Sequence, residues 1–423
     1  MDAVPPETPS RKTPRPAFSA VLFLILCFAG FAVFSVRYVL RTRTGPAFRS
    51  RPAVRRLLAG GAPEIAGTPR PGRTFRAGLE WETTENVPFK VPLLKAACAW
   101  ERLLRWNVPL LTGYNAVFDA GGGFLGRAEY ASPDVRSAQC RATVGFLETV
   151  RRLFPETPIL YAVTPARFGA DDRFADGVFF FGNEGRDALA SAVRGAGFDA
   201  LDLRRDWAET GRRNRDAFFR TDHHFTPETG VWAARRIGET LAERFGVPVD
   251  TNALADSAFR KDVRKGAFLG SMGKKFSLAR CRPDDISVIG TDAPADFEIE
   301  VPARRLRSRG GSKALVDWTR LRGGRLYSDN PYAAYLHSDN PLVRVRNLHR
   351  PDGPGILVFG DSFDNALVTF LAAAAGRIET VDLRLGRTTP DDLRKDGPFD
   401  AVLVFWNEPP PVARLEALSR ESR

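Results

Sequence analysis

The sequence predicts an α/β fold that follows a single N-terminal transmembrane helix. Residues 17–36 form an uncharged, mostly apolar run of 20 residues. From about Val91 onwards, short apolar runs alternate with helix-like stretches, a pattern typical of α/β proteins. Hydrophobic residues make up 43% and charged residues 26% of the 423-residue chain, as in globular proteins that bury a full core.

The N-terminal segment predicts a membrane anchor. Residues 1–16 are polar and proline-rich, and we expect them to form a cytoplasmic tail. Residues 17–40 are predicted to be the transmembrane helix, because about 20 apolar residues span the hydrocarbon core of a bilayer. Arg37 and Arg41 follow the run in place of a small-residue cleavage site, which favours an uncleaved anchor over a signal peptide. Basic residues lie on both sides, so the positive-inside rule does not favour an external position for the rest of the chain.

The remainder divides into a linker and one large domain. Residues 41–90 are rich in Arg, Gly, Pro and Thr and are predicted to be a linker or stalk. Residues 91–423 are predicted to form the domain. Within it, residues 260–348 are rich in glycine and charge, and we predict an irregular loop insertion of the kind that forms binding loops.

Short apolar runs predict the strands of a parallel sheet that is buried on both faces. The predicted strands are 158–163, 198–203, 355–359, 378–383 and 401–405. Helices are predicted at 185–195, from Thr226 to about residue 245, and at 364–375. Thr226 and Pro227 are the residues expected at an N-cap and a first helical turn.

Charge and cysteine content narrow the function classes. The net charge of +12 comes from arginines spread along the chain, with no nucleic-acid-binding module, so we predict no nucleic-acid partner. The charge is compatible with an anionic membrane or an acidic polymer. The four cysteines, Cys27, Cys98, Cys140 and Cys281, match no metal motif. Two alternatives remain open for the last three cysteines: one disulfide with a free thiol, or three free thiols.

Asp222, His223 and His224 form the first candidate site. They directly precede the predicted helix at Thr226, and the chain contains only four histidines. A carboxylate beside an imidazole can orient the ring and stabilise its charged form, as acid–base catalysis requires. The alternative is a capping aspartate with two surface histidines.

Ser362 is the second candidate, in the sequence Gly360-Asp361-Ser362 between the strand 355–359 and the helix 364–375. A tight turn between a strand and a helix exposes a serine hydroxyl, and the helix N-terminus offers N–H groups to an oxyanion. Gly-Asp-Ser is also an ordinary turn. Together, however, the two candidate sites supply the serine, histidine and carboxylate that acyl transfer requires.

These motifs resemble a known family. TDHHFTPETG (221–230) followed by a helix, and GDSFDNALVTFL (360–371) after a strand, are similar to the SGNH-hydrolase-like domain of the alginate O-acetyltransferase type, and closest to the DHHW family. Five further segments follow the family pattern: YAVTPAR (161–167), FDALDLRRDW (198–207), GAFLGSMGKKF (266–276), YAAYLHSDNPLVRVRN (332–347) and VDLR (381–384). The resemblance spans about residues 110–410. Phe225 replaces the tryptophan that is usual in the family motif.

The resemblance implies a circularly permuted SGNH (flavodoxin-like) fold with helices around a parallel sheet. It implies Ser362 as nucleophile, His224 as base and Asp222 as its orienting carboxylate. His223 is expected to contact substrate. Asn365 and the Gly270-Ser271 loop are candidate substrate or oxyanion contacts.

The resemblance also implies a function. We expect a single-pass protein of the cytoplasmic (inner) membrane whose catalytic domain lies in the periplasm or outside the cell. Its activity would be O-acyl transfer, with acetyl as the expected group, to a cell-envelope or secreted polysaccharide (an exopolysaccharide). A membrane-bound O-acyltransferase is the expected acetyl donor partner, and no cofactor or metal is expected.

Three alternatives follow from the same residues. A polysaccharide acetylesterase would use the same serine, histidine and aspartate with water as acceptor. A metal-dependent phosphoesterase would use Asp222, His223 and His224 as ligands but needs more of them than the chain offers nearby. A catalytically silent envelope scaffold protein would show no turnover of acetyl esters.

Overall fold

The computed structural model describes residues 91–93, 95–96, 117–120, 122–127, 131–169, 182–292, 294–322, 324–386, 392 and 397–421. Residues from Leu94 onwards form one compact unit. The predicted tail (1–16), anchor (17–40) and linker (41–90) lie outside the described residues. Within the described ranges, no helix is both long and apolar enough to cross a bilayer.

The described elements alternate between helices and strands along much of the chain. The helices are α1 (Pro133–Leu153), α2 (Gly182–Gly195), α3 (Leu203–Glu209), α4 (Pro227–Phe245), α5 (Ser271–Phe276), α6 (Asp364–Leu371) and α7 (Val412–Glu421). The strands are β1 (Val117–Asp119), β2 (Leu125–Arg127), β3 (Ile159–Val163), β4 (Asp199–Asp202), β5 (Phe259–Phe268), β6 (Asp284–Thr291), β7 (Phe297–Val301), β8 (Leu306–Gly310), β9 (Leu342–Asn347), β10 (Gly355–Gly360), β11 (Arg377–Val381) and β12 (Ala401–Phe405).

The central sheet of the described chain has eight strands in the order β4-β3-β12-β10-β11-β9-β7-β8. The first five strands pair in parallel, and β9, β7 and β8 continue the sheet antiparallel. Strands β1–β2 and β5–β6 form two separate antiparallel pairs. The α/β prediction is confirmed, and the sheet is mixed rather than purely parallel.

The inner parallel strands β3, β10 and β12 are buried on both faces. In β10, Ile356 and Val358 join the core that contains residues of α4 and α6. Leu357 and Phe359 point to the opposite face and join the core that contains residues of α1, α2 and α7. Because both faces are covered, these strands consist of the continuous apolar runs seen in the sequence.

Helix α4 starts as predicted, with the Thr226 side chain accepting a hydrogen bond from the Thr229 N–H (3.3 Å) and proline in the first turn. Helix α6 is shorter than predicted and ends at Leu371. The carbonyls that follow it are bound by distant side chains instead: Asn347 donates to the Ala372 oxygen (3.1 Å) and Arg350 to the Ala373 oxygen (2.9 Å).

The prediction of an irregular insertion at 260–348 is wrong for its secondary structure, since β6 to β9 and most of β5 lie there. Strands β7, β8 and β9 alternate between more and less buried residues instead of forming apolar runs. In β7, Phe297, Ile299 and Val301 are buried, whereas Glu298 is exposed and Glu300 pairs with Arg307 on β8 (3.0 Å). A sheet covered on one face produces this two-residue period.

Cys140 and Cys281 are free thiols. Cys27 and Cys98 lie outside the described residues.

Candidate active site

Ser362 lies in the turn between β10 and α6, which we call the nucleophile turn (residues 360–363). At Gly360, a Cβ atom would lie 1.8 Å from Asp364 Oδ2, so the close approach of this side chain requires glycine there. The buried Asp361 carboxylate accepts hydrogen bonds from the N–H groups of Phe363 (3.0 Å), Asn407 (2.9 Å) and Glu408 (3.0 Å). Burial raises the pKa of Asp361 to about 6.

Asp222 and His224 lie in the loop before α4, which we call the Asp–His loop (residues 219–224). The buried Arg167 guanidinium donates to the carbonyl oxygens of Phe219 (2.9 Å) and Asp222 (2.7 Å). On the other side, Asp284 Oδ2 accepts hydrogen bonds from the Thr221 N–H (2.8 Å) and hydroxyl (2.5 Å). Side chains from elsewhere in the chain therefore hold this irregular backbone.

Gly270 and Ser271 support the Asp–His loop. The Ser271 N–H donates to Asp222 Oδ2 (2.6 Å), and the Gly270 N–H donates to Thr221 Oγ1 (2.9 Å). A Cβ at position 270 would lie 2.3 Å from Asp222 Cβ and 2.5 Å from the Thr221 carbonyl oxygen, so only glycine fits. Both N–H groups are thus bonded to the loop, and a contact of this segment with substrate or an oxyanion stays a prediction.

The structure brings Asp222, His224 and Ser362 together. His224 Nδ1 lies 2.6 Å from Asp222 Oδ1, and His224 Nε2 lies 2.8 Å from Ser362 Oγ. Asp222 and His224 are 3% and 7% exposed, whereas Ser362 is half-buried. A hydroxyl, an imidazole and a carboxylate in this order form a relay for removing a proton from the hydroxyl.

The local charges keep Asp222 ionised. Burial alone would raise its pKa, but the neighbouring His223 and His224 and the hydrogen bonds from His224 and Ser271 hold the pKa of Asp222 well below its ordinary value. An ionised Asp222 accepts a hydrogen bond from the N–H at His224 Nδ1, which leaves Nε2 as the acceptor for the Ser362 hydroxyl.

His223 lies beside the relay without joining it. Its Nδ1 is 3.2 Å from Ser271 Oγ, and its ring centroid is 3.8 Å from that of His224. Burial, followed by the charge of His224, lowers the pKa of His223 to about 3, so the ring is neutral at neutral pH. His223 lines a small cavity whose other lining residues are Arg127, Arg167, Arg186, Phe218, Met272 and Asn407. Its contact with substrate stays a prediction.

Asn365 is placed differently from the prediction. The residue is 3% exposed, and its side-chain amide donates to Asp339 Oδ1 (2.7 Å). It therefore ties the first turn of α6 to the segment before β9, and its contact with substrate or an oxyanion stays a prediction.

Three residues that support the site were not identified from the sequence: Arg167, Asp284 and Tyr332. The Tyr332 ring stacks on the ring of His224, with centroids 4.1 Å apart. Arg167 and Tyr332 lie in motifs that carried the family resemblance, so motif membership was the available signal. No sequence signal pointed to Asp284. Its partners Arg220 and Thr221 lie 64 and 63 positions away in the sequence.

Asp222, His223 and His224 also place one ligand atom each within 4.8 Å of the others, a spacing that suits a metal ion. Both nitrogens of His224 already face partners, Nδ1 toward Asp222 and Nε2 toward Ser362. The arrangement is that of a hydrogen-bonded relay, and the absence of a metal from the reaction stays a prediction.

Comparisons with known proteins agree with the sequence motifs. Residues 175–294 match the family described as the SGNH hydrolase-like domain of the acetyltransferase AlgX; this range contains the Asp–His loop and ends before Ser362. No curated protein matches the chain.

Solved structures of PatB1 show the same fold. PatB1 from Bacillus cereus, in a structure with a sulfonyl adduct, has 13% sequence identity and a TM-score of 0.54, covering 72% of this chain and 96% of that one. A DHHW family protein from Eubacterium siraeum has 16% identity and a TM-score of 0.48, covering 72% and 95%. The predicted resemblance is confirmed: this chain resembles SGNH-hydrolase-like proteins of the AlgX acetyltransferase type.

Proposed function

We propose that this protein is a membrane-anchored, extracytoplasmic O-acyltransferase that moves an acetyl group onto a hydroxyl of a cell-envelope or secreted polysaccharide. The observation that carries the proposal is the position of His224, bonded to Asp222 at 2.6 Å and to Ser362 at 2.8 Å. The match of residues 175–294 to a family described as an acetyltransferase supports acetyl as the group.

The first half of the reaction acylates Ser362. His224 Nε2 removes the hydroxyl proton while Oγ attacks the carbonyl carbon of the acyl donor. When the tetrahedral intermediate collapses, the bond to the leaving group breaks and the proton on Nε2 passes to that group. Asp222 stays ionised and stabilises the imidazolium that forms between these steps.

The second half transfers the acyl group. A sugar hydroxyl gives its proton to His224 Nε2 and attacks the acyl carbon, and the released Ser362 oxygen takes this proton back. The developing oxyanion is expected to accept from the Ser362 N–H at the start of α6, where backbone N–H groups favour negative charge. A membrane-bound O-acyltransferase is the proposed source of acetyl groups, and residues 17–40 are the proposed anchor.

The test is turnover of 4-nitrophenyl acetate by the purified full-length protein in detergent. We expect Ser362→Ala and His224→Ala to lower kcat by at least about 1,000-fold with unchanged thermal melting, because triad members act as a unit. Equal activity in all three proteins, or none in any, would contradict the serine site and favour the scaffold alternative.

A second measurement separates transfer from hydrolysis. Xylo- and chito-oligosaccharides are added as acceptors, and the acetylated sugar is quantified by mass spectrometry beside free acetate. Acetylated sugar that depends on Ser362 supports the transferase. Acetate alone, at a rate that acceptors do not change, would point to the acetylesterase.

A further inference from the structure

The His224 ring lies face to face with Tyr332. Their centroids are 4.1 Å apart and their planes differ by 19°. The other described rings beside His224 are more tilted, by 38° for His223 and 44° for Phe363. Because the terminal torsion of histidine has a broad energy minimum, a stacked neighbour restricts how far the ring can turn.

The Tyr332 hydroxyl contacts the other half of the site. It donates a hydrogen bond to the carbonyl oxygen of Ser362 (3.1 Å). Tyr332 is 2% exposed, and burial, followed by the charges of Asp339 and Asp364, raises the pKa of Tyr332 well above its ordinary value. The hydroxyl therefore stays protonated and remains a donor. One side chain thus contacts both the ring of His224 and the backbone of Ser362.

The segment that carries Tyr332 is itself held in a restrained conformation. After the 3-10 turn Pro331–Ala334, the non-glycine residues Leu336, His337 and Ser338 all have positive φ angles (49°, 57° and 75°). Such residues persist only where the surroundings enforce them.

Contacts on both sides of this segment supply that restraint. Arg304 donates to the His337 carbonyl oxygen (2.7 Å), and Asn340 donates to that of Ser338 (2.6 Å). Asp339 accepts from Asn365 in the first turn of α6 (2.7 Å). The segment is therefore anchored to the helix that follows Ser362.

We propose that Tyr332 is a positioning residue that aligns His224 Nε2 with Ser362 Oγ by fixing the imidazole plane and the nucleophile turn together. This inference rests on the proposed function. Proton transfer requires the two atoms to stay within hydrogen-bond reach and in line, and small misplacements lower rates strongly. The electron-rich face of the phenol also favours the charged imidazolium that forms during the reaction.

Three variants of the full-length protein test the proposal with 4-nitrophenyl acetate. Tyr332→Leu removes the stack and the hydrogen bond, and we expect kcat to fall about 100-fold with KM changed less than about twofold. Tyr332→Phe keeps the stack, and kcat is expected to fall about fivefold. The matched control is Tyr335→Phe, which removes a buried hydroxyl that donates to the Ser287 carbonyl (2.6 Å) outside the relay; its kcat is expected to stay within about twofold of wild type.

A readout independent of turnover is the downfield proton resonance of the short His224–Asp222 hydrogen bond. We expect it in wild type, Tyr335→Phe and Ser362→Ala, and expect it broadened or lost in Tyr332→Leu.

If Tyr332→Leu retains the resonance and wild-type kcat, or if Tyr335→Phe lowers kcat as much as Tyr332→Phe, the positioning role is overturned. If Tyr332→Leu does not fold, the test rests on Tyr332→Phe. A wild-type kcat in Tyr332→Phe would then overturn the proposal that the hydrogen bond to the Ser362 carbonyl positions the nucleophile turn. Failure of the proposed function would give a different result from failure of the positioning role, because the wild-type protein would then be inactive although its resonance is present.

Discussion

The nucleophile turn and the Asp–His loop meet at Ser362 but are held in place differently. The nucleophile turn is the direct continuation of a buried strand into a helix, so its position follows from the central sheet. The Asp–His loop has irregular backbone, which is held by hydrogen bonds to Arg167, Asp284, Gly270 and Ser271. One half of the site is therefore positioned mainly by secondary structure, and the other by individual long-range hydrogen bonds.

This difference suggests where the site is vulnerable. Substitutions that leave the sheet and helices intact can still displace Asp222 and His224, because hydrogen bonds from distant residues hold their loop. Three further changes test this expectation, in order of decreasing effect.

The largest effect is expected for Gly270→Ala. The new Cβ would meet the backbone and Cβ of Asp222 and the Thr221 carbonyl oxygen at 2.3 to 2.6 Å, and backbone cannot yield as a flexible side chain does. We expect a loss of about 1–3 kcal/mol of stability and a fall in kcat of about 100-fold, measured by thermal melting and ester turnover. Gly185→Ala is the control, since nothing lies within 4 Å of its Cβ. Wild-type behaviour of Gly270→Ala would show that this close approach is not required.

A smaller effect is expected for Asp284→Asn. The substitution replaces one carboxylate oxygen with an amide that cannot accept the hydrogen bonds made by Arg220 or Thr221. We expect a loss of about 1–3 kcal/mol of stability and a lower kcat at unchanged KM.

Asp285→Asn is the matched control for this prediction. Asp285 is an adjacent exposed carboxylate that binds Lys265 (2.8 Å) and the Gly266 N–H, away from the Asp–His loop. Equal loss of kcat in both variants would contradict a specific tether at Asp284.

The smallest effect concerns the pH dependence of stability. An unfolded histidine takes up a proton near pH 6.5, whereas burial lowers the pKa of folded His223 to about 3. Between these values the unfolded state binds more protons, so stability falls as the pH falls. His223→Gln removes this contribution, and we expect a smaller drop in Tm between pH 7 and pH 5. About a third of the His223 side chain is exposed, so solvent screens part of the effect.

The exposed His349 provides the comparison. His349→Gln is the control that replaces an exposed histidine, and its Tm–pH curve is measured beside that of the wild type. If the Tm–pH curve of His223→Gln is identical to that of the wild type, His223 is not held neutral in the folded protein.

The central sheet shows why sequence patterns identified one half of it and not the other. Strands buried on both faces, such as β10, consist of apolar runs that read directly as strands. Strands β7 and β8 bury one face and carry Glu300 and Arg307 on the other, and their charge content led to the prediction of an irregular segment. The alternation in Phe297-Glu298-Ile299-Glu300-Val301 was the available signal.

The candidate site was predictable in parts. Ser362 followed from its place between a strand and a helix, and Asp222 and His224 from their adjacency before a capped helix. The hydrogen bonds that Gly270, Ser271 and Asn365 make to the Asp–His loop and to Asp339 were not predicted, because a backbone N–H or an amide gives no sign in the sequence of its partner.

By itself, the sequence determined the α/β class, the buried parallel strands and the residue types needed for acyl transfer, because these depend on local periodicity and adjacent residues. Only the tertiary structure decided that His224 and Ser362, 138 positions apart, lie within a hydrogen bond of each other. It also decided that Tyr332 stacks on His224, and that Arg167 and Asp284 hold the loop. Such contacts join segments that are far apart in the sequence, so local periodicity and adjacency along the chain do not predict them.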